Sequence, residues 1–135
     1  MITLHIAQYL ADNGFGTLDT DLFYERTPLG KEGVCLISRS GVLTKRGGVQ
    51  VQDFDFYVRD KSNLKGADKL EKIWQFLVDN YAACDLPEVP NKSTKVYKSA
   101  VIQPVGAIEN LGLDENDSIV FRLAAQVTYK KEWSN

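Results

Sequence analysis

Hydrophobic and polar residues alternate most regularly near the end of the chain, from Ile119 to Lys131. One parity carries Ile119, Phe121, Leu123, Ala125, Val127 and Tyr129. The other carries Val120, Arg122, Ala124, Gln126, Thr128 and Lys130. Successive side chains of an extended chain point to opposite faces, so this pattern predicts a long, half-buried strand in an antiparallel sheet. A helical period would instead place Arg122 and Gln126 on the stripe of Ile119 and Leu123, which argues against a helix. The run is long for a strand, and its length predicts that part of it reaches past the core toward another chain.

The remaining elements must cover the apolar face of that strand. Ile2, Ile6, Tyr9 and Leu10 have helical spacing over Ile2 to Asn13, and Asn13-Gly14 closes the helix because glycine accepts the left-handed conformation cheaply. Phe15 to Asp21 reads as a loop into a strand, Leu22 to Arg26, followed by turn chemistry in Thr27-Pro28-Leu29-Gly30. Gly33 to Ser38 is a second strand whose continuous apolar core predicts a central, doubly covered position. A polar loop, 40–48, leads to a third strand, Val49 to Arg59. Its apolar parity changes partway: Val49 and Val51 share one face, while Phe54, Phe56 and Val58 share the other. Either a bulge near Gln52-Asp53 restores the phase, or the two ends are apolar on different faces, one resting on a neighbouring subunit.

Ser62 or Asn63 caps a second helix running to about Ala83, with Ala67, Leu70, Ile73, Trp74, Leu77 and Tyr81 as its apolar face. Trp74 at such a position reads as core. A rigid connector, Leu86 to Pro90, leads to a fourth strand, Lys95 to Gln103, stopped by Pro104. A long loop over Val105 to Asp117 then joins it to the final strand. The order α-β-β-β-α-β-β predicts an α+β two-layer sandwich, a mostly antiparallel sheet with two helices on one face.

Composition narrows the class further. A chain of 135 residues is expected to form one domain over 1–135, and 44% hydrophobic with 25% charged residues is the ordinary globular range. No apolar run approaches the roughly 18 residues of a spanning helix, and the start lacks the flanks of a signal peptide, so no membrane association is expected. With 16 basic and 18 acidic residues the net charge is −2, which gives no global attraction to nucleic acid. Cys35 and Cys84 lie in different predicted elements and read as free thiols.

Candidate chemistry is sparse. His5, the one histidine, has no ligand or nucleophile spaced near it and reads as a surface or half-buried side chain. The tip Asp114-Glu115-Asn116-Asp117 lacks the glycine and the distal glutamate of a calcium loop and reads as a plain turn. No glycine pattern fits a phosphate cradle, and no nucleophile elbow occurs. Catalysis, cofactors and metals are therefore not expected.

Specific words in the chain carry a resemblance. Ile6-Ala7-Gln8-Tyr9-Leu10, then Gly14-Phe15-Gly16-Thr17-Leu18-Asp19-Thr20-Asp21-Leu22-Phe23, resemble the start of the bacteriophage minor capsid, or tail-terminator-like, family. Val49-Gln50-Val51-Gln52 through Val58-Arg59, Leu70-Glu71-Lys72-Ile73, and Leu111 to Asn116 before Phe121-Arg122-Leu123 are similar to its middle and end. The Lys45-Arg46 loop and the Trp133 tail depart from it.

The resemblance implies a virion protein of long-tailed phages, assembled in the bacterial host cytoplasm and placed at the head–tail junction. There a ring, commonly a hexamer, caps the tail tube protein, stops tube polymerisation and presents a surface to head-completion or connector proteins. DNA would pass its lumen only as cargo. Contact residues expected on this basis are Arg39, Lys45, Arg46, Arg59, Asp114, Glu115 and Arg122, with Trp133 as an anchor. They lie in the 40–48 and 105–117 loops, on or beside the third and fifth strands, and on the tail. The competing reading is a monomeric nucleic-acid-binding α+β module using Lys45 and Arg46, with salt-dependent binding.

Overall fold

The two longest strands pair with each other, and the rest of the chain is laid against that pair. In a computed structural model, β4 (Val49–Asp60) and β7 (Ile119–Lys131) run antiparallel, from Val49 opposite Lys130 to Asp60 opposite Ile119 without a register shift. The structure describes residues 1–26, 30–39, 41–44 and 46–131, apart from the side chains of Arg46 and Lys131. The expected turn at Thr27 to Leu29, Lys45 and the Trp133 tail lie outside the described residues.

Around this pair the order is α1 (Ile2–Asp12), β1 (Leu22–Tyr24), β2 (Gly33–Ser38), β3 (Leu43–Thr44), β4, α2 (Asn63–Asp79), β5 (Tyr97–Pro104), β6 (Glu109–Leu113) and β7. The sheet has seven strands in the order β1-β2-β4-β7-β5, with β3 beside β4 and β6 beside β7. Every pairing is antiparallel except that of β1 with β2. Both helices pack on one face, α1 over β1 and β2 and α2 over β4, β5 and β7. This is the expected α+β arrangement of two layers, with two short strands added.

Those additions have a physical origin. β3 is two residues long, and β6 sits inside the stretch expected to be a loop, where Asn110, Gly112 and the acidic turn mask its pairing. β5 and β6 lie in succession along the same edge of β7, with residues 105–108 between them. Pro104 ends β5 from within, still paired with Ala125.

The core has one parity. Phe54, Phe56 and Val58 of β4 meet Leu123, Ala125 and Val127 of β7, with Leu22, Val34 and Leu36 beside them. From the helical layer Ile6 and Leu10, then Leu70, Ile73 and Leu77, pack onto them. Tyr9 and Phe76 join the two helices, their rings 5.6 Å apart. The Ser62 hydroxyl accepts from the Lys65 amide at 3.2 Å and caps α2, which stops at Asp79 rather than near Ala83.

Several expectations are corrected. No bulge interrupts β4 near Gln52-Asp53; its ladder to β7 is unbroken there. The parity change is a strand apolar on different faces at its two ends, but Val51, on the face opposite Phe54 and Phe56, is already buried within the chain rather than left for a neighbouring subunit. The shifts fall in β5, between Lys98 and Val101, and in β6, between Asn110 and Gly112. Nor does β7 overhang the core before its last residues, since Tyr129 is buried. Trp74 is 38% exposed, because the buried stripe of α2 runs through Gly66, Leu70, Ile73 and Leu77 instead, and Tyr81, 56% exposed, lies beyond the end of the helix. β1 stops at Tyr24.

His5 is buried, against expectation, at 1% exposure. Its Nδ1 lies 2.9 Å from the Pro87 carbonyl and its Nε2 2.9 Å from the Ser93 hydroxyl. A carbonyl only accepts, so Nδ1 carries the proton and donates, and Nε2 accepts from Ser93. The ring thus ties α1 to the 86–93 connector and meets Tyr97 edge-on at 4.9 Å.

Two outcomes follow from this packing. A Cβ at Gly66 would stand 2.8 Å from Cε2 of Phe121. Gly66→Ala gains about 1 kcal/mol of helix propensity but loses about 1–3 kcal/mol to overpacking. Net destabilisation by up to about 2 kcal/mol is expected in urea unfolding, with an unchanged slope. Burial lowers the His5 pKa below 6.5, against the pull of its bond to Pro87. The unfolded chain therefore binds more protons between the depressed value and 6.5. Stability from this group is full above 6.5 and falls as pH drops through that window. Melting curves of the wild type should shift down between pH 7.5 and 5 (about the span of that titration), and the shift should shrink in His5→Gln.

Candidate assembly surface

The parity that buries the apolar side chains of β4 and β7 sends a polar set to the opposite face, over which no layer lies among the described residues. Register lines this set up in rungs across the sheet. One rung runs Cys35, Tyr57, Arg122, Glu109, and the next runs Ile37, Asp55, Ala124. Toward the other end, Gln126 stands between Asp53 and Gln103, and Thr128 between Val51 and Val101.

Charges on this outer face are arranged in opposite-sign pairs. Arg39 Nε lies 3.0 Å from Asp55 Oδ1, and Tyr57 donates to the other Asp55 oxygen at 3.4 Å. Asp55 is 2% exposed, whereas the Arg39 side chain is 41% exposed, so the carboxylate lies under the guanidinium. That contact is ionic rather than a hydrogen bond, since Asp55 Oδ1 lacks an aligned donor. Arg122 Nη2 donates to Glu109 Oε1 at 2.9 Å, and Gln126 Nε2 donates to Asp53 Oδ1 at 3.0 Å. Glu109 raises the Arg122 pKa, first through that hydrogen bond.

At the β6–β7 turn, Arg59 Nε donates to Asp114 Oδ2 at 2.8 Å. The second Asp114 oxygen accepts from the amides of Asn116 and Ser118, at 2.9 and 3.0 Å. Burial pushes the Asp114 carboxyl up, but these two amides and Arg59 outweigh it and leave it below the usual value. The acidic tip is a turn held by its own first residue, as its sequence suggests.

Of the expected contact residues, Arg39, Arg59 and Arg122 share this face, with Asp114 joined to it through Arg59 and Glu115 exposed at the adjacent tip. Lys45, the Arg46 side chain and Trp133 lie outside the described residues. Sequence reasoning missed Asp55, Tyr57 and Glu109, and also the exposed apolar residues of the flanking strands. Val42 and Leu43, at and before β3, are 45% and 67% exposed. Leu111 and Leu113 of β6 are 48% and 68% exposed. A signal for β6 was present: Leu-Gly-Leu and Ile-Val-Phe flank a short acidic turn, as in a hairpin.

A similar fold occurs in a gene transfer agent virion. A chain of the structure described as "Virion of native gene transfer agent (GTA) particle" superposes with a TM-score of 0.50 at 14% identity. The match covers 82% of this chain and 78% of that one. At that identity the likeness is one of fold. No protein-family model and no curated protein matches the sequence.

Proposed function

We propose that this chain is a structural protein of a phage-like virion that forms a ring on the head-proximal end of a tail tube. The observation that carries the reading is the fold shared, over most of both chains, with a component of a gene transfer agent virion. The words of sequence similar to the tail-terminator-like family narrow it to the end of the tail. In this role the ring, a hexamer by that resemblance, covers the surface onto which the next tube ring would add. Its other side is offered to head-completion or connector proteins. The role needs no catalytic step, no cofactor and no membrane.

The sheet suits such a role. Its long β4–β7 pair is a stiff plate about 40 Å long, with the helices behind it and a polar, charge-paired face in front. Arg39, Arg59 and Arg122 are each matched by a carboxylate, so they add no free cationic track to the alternative nucleic-acid reading, which turns on Lys45 and Arg46.

Electron micrographs of the purified protein, alone and mixed with polymerising tail tubes, test the proposal. Rings at tube ends and tubes of arrested length are expected. A strict monomer that neither binds tubes nor limits their length would contradict it.

A further inference from the structure

The fold closes two of its sheet edges with its own chain and leaves two open. Outside β5, Cys84 and Ala100 exchange backbone bonds at 3.0 and 2.7 Å, and the Leu86 amide donates to Tyr97 at 3.1 Å. Outside β1, the Asp19 amide donates to the Leu22 carbonyl at 2.9 Å, and the Leu22 amide to Thr17 at 3.2 Å. Among the described residues, no other backbone segment pairs with the outer edge of β3 or of β6. Edges left open are normally blunted by charged side chains. Here they carry Val42, Leu43, Leu111 and Leu113, each at least 45% exposed.

The two open edges occupy diagonally opposite corners of the sheet. β3 lies against Gln50 and Val51, at the start of β4 and on the side of β2. β6 lies against residues 119–122, at the start of β7 and on the side of β5. A contact from one corner to the other is therefore head-to-tail, the kind that closes into a ring when repeated with the right rotation. Charge favours this pairing over like with like. Beyond the Arg122–Glu109 and Arg59–Asp114 pairs, Glu115 and Asp117 are exposed at the β6 corner, so two such corners would repel. Lys130 lies near the β3 corner, and Lys45 and Arg46 follow β3 in sequence.

We propose that Leu111 and Leu113 of one copy pack against Val42 and Leu43 of the next, β6 edge to β3 edge, and that this contact builds the ring. The inference rests on the ring reading and deepens it. Side chains rather than a continuous ladder make the contact. The bulge at Leu111 breaks the β6 register, and Asn110 Oδ1 already holds the Gly112 amide at 2.8 Å.

The test uses full-length protein with tail tubes. Because the targeted side chains are exposed, Leu43→Asp and the double variant Leu111→Asp with Leu113→Asp should keep the wild-type circular dichroism and melting point. Each should lose the ring. In a Cys84→Ser background, Leu43→Cys combined with Leu113→Cys should cross-link on oxidation into multimers ending at the ring size. Leu113→Cys alone should give no cross-link. A wild-type ring retained by either folded aspartate variant, or a dimer from Leu113→Cys alone, would overturn this contact and leave the ring reading standing. A wild type that is monomeric both alone and on tubes would remove the ring reading itself.

Discussion

The unbroken pairing of β4 with β7 is the constraint on which the rest of the molecule depends. Because side chains alternate strictly, one register fixes the destination of every residue on both strands. Phe54, Phe56, Val58, Leu123, Ala125 and Val127 go under the helices, and Asp53, Asp55, Tyr57, Arg122 and Gln126 go to the opposite face. A slip of one residue in β4 would send Asp55 into the core and Phe56 out of it. Burying a carboxylate without a partner costs several kcal/mol (roughly, in a relaxed protein interior). The register is therefore held from both sides, by what must be dry and by what must not be.

That division of labour explains why the outer face is polar yet largely covered. Asp55 sits beneath Arg39 and Tyr57, and Arg59 reaches over to the β6–β7 turn. Paired charges spread flat on a sheet make it self-sufficient in water without making it sticky. Apolar exposure includes two corners, on strands too short or too irregular to be sheltered by the fold, besides single side chains such as Leu64 and Val105. Trp74 and Val78 on α2, with Tyr81 just past its end, add a third exposed apolar region on the opposite layer. The proposed ring would draw on this distribution: a rigid plate, a charge-paired face and localised apolar contacts.

Much of the fold was legible because its long elements have long patterns. The alternation from Ile119 to Lys131 and the helical spacing of Leu70, Ile73 and Leu77 each span enough residues for the period to show. Failures came where patterns were short or where two causes give the same letters. The parity change between Val51 and Phe54 reads equally as a bulge or as two half-buried faces, and only the unbroken pairing with β7 distinguishes them. Trp74 has core chemistry but lies off the stripe that Gly66 sets by admitting Phe121 close to α2, and Tyr81 lies past the helix end. His5 was misplaced because its partners, Pro87 and Ser93, are more than eighty residues away in sequence. Arg39, Arg59 and Arg122 could be picked out as polar residues on or beside strands. Their carboxylate partners on other strands could not, since register is a property of the sheet and not of any single segment.

Hydrogen exchange on the protein free in solution and bound at the end of a tail tube tests the central claim most directly. Amides of β4 and β7 should be slow in both states. New protection on binding should appear at 42–44 and 109–113, the two open edges. Unchanged exchange at both edges in a tube-bound sample, with new protection confined to α2 or absent, would contradict it.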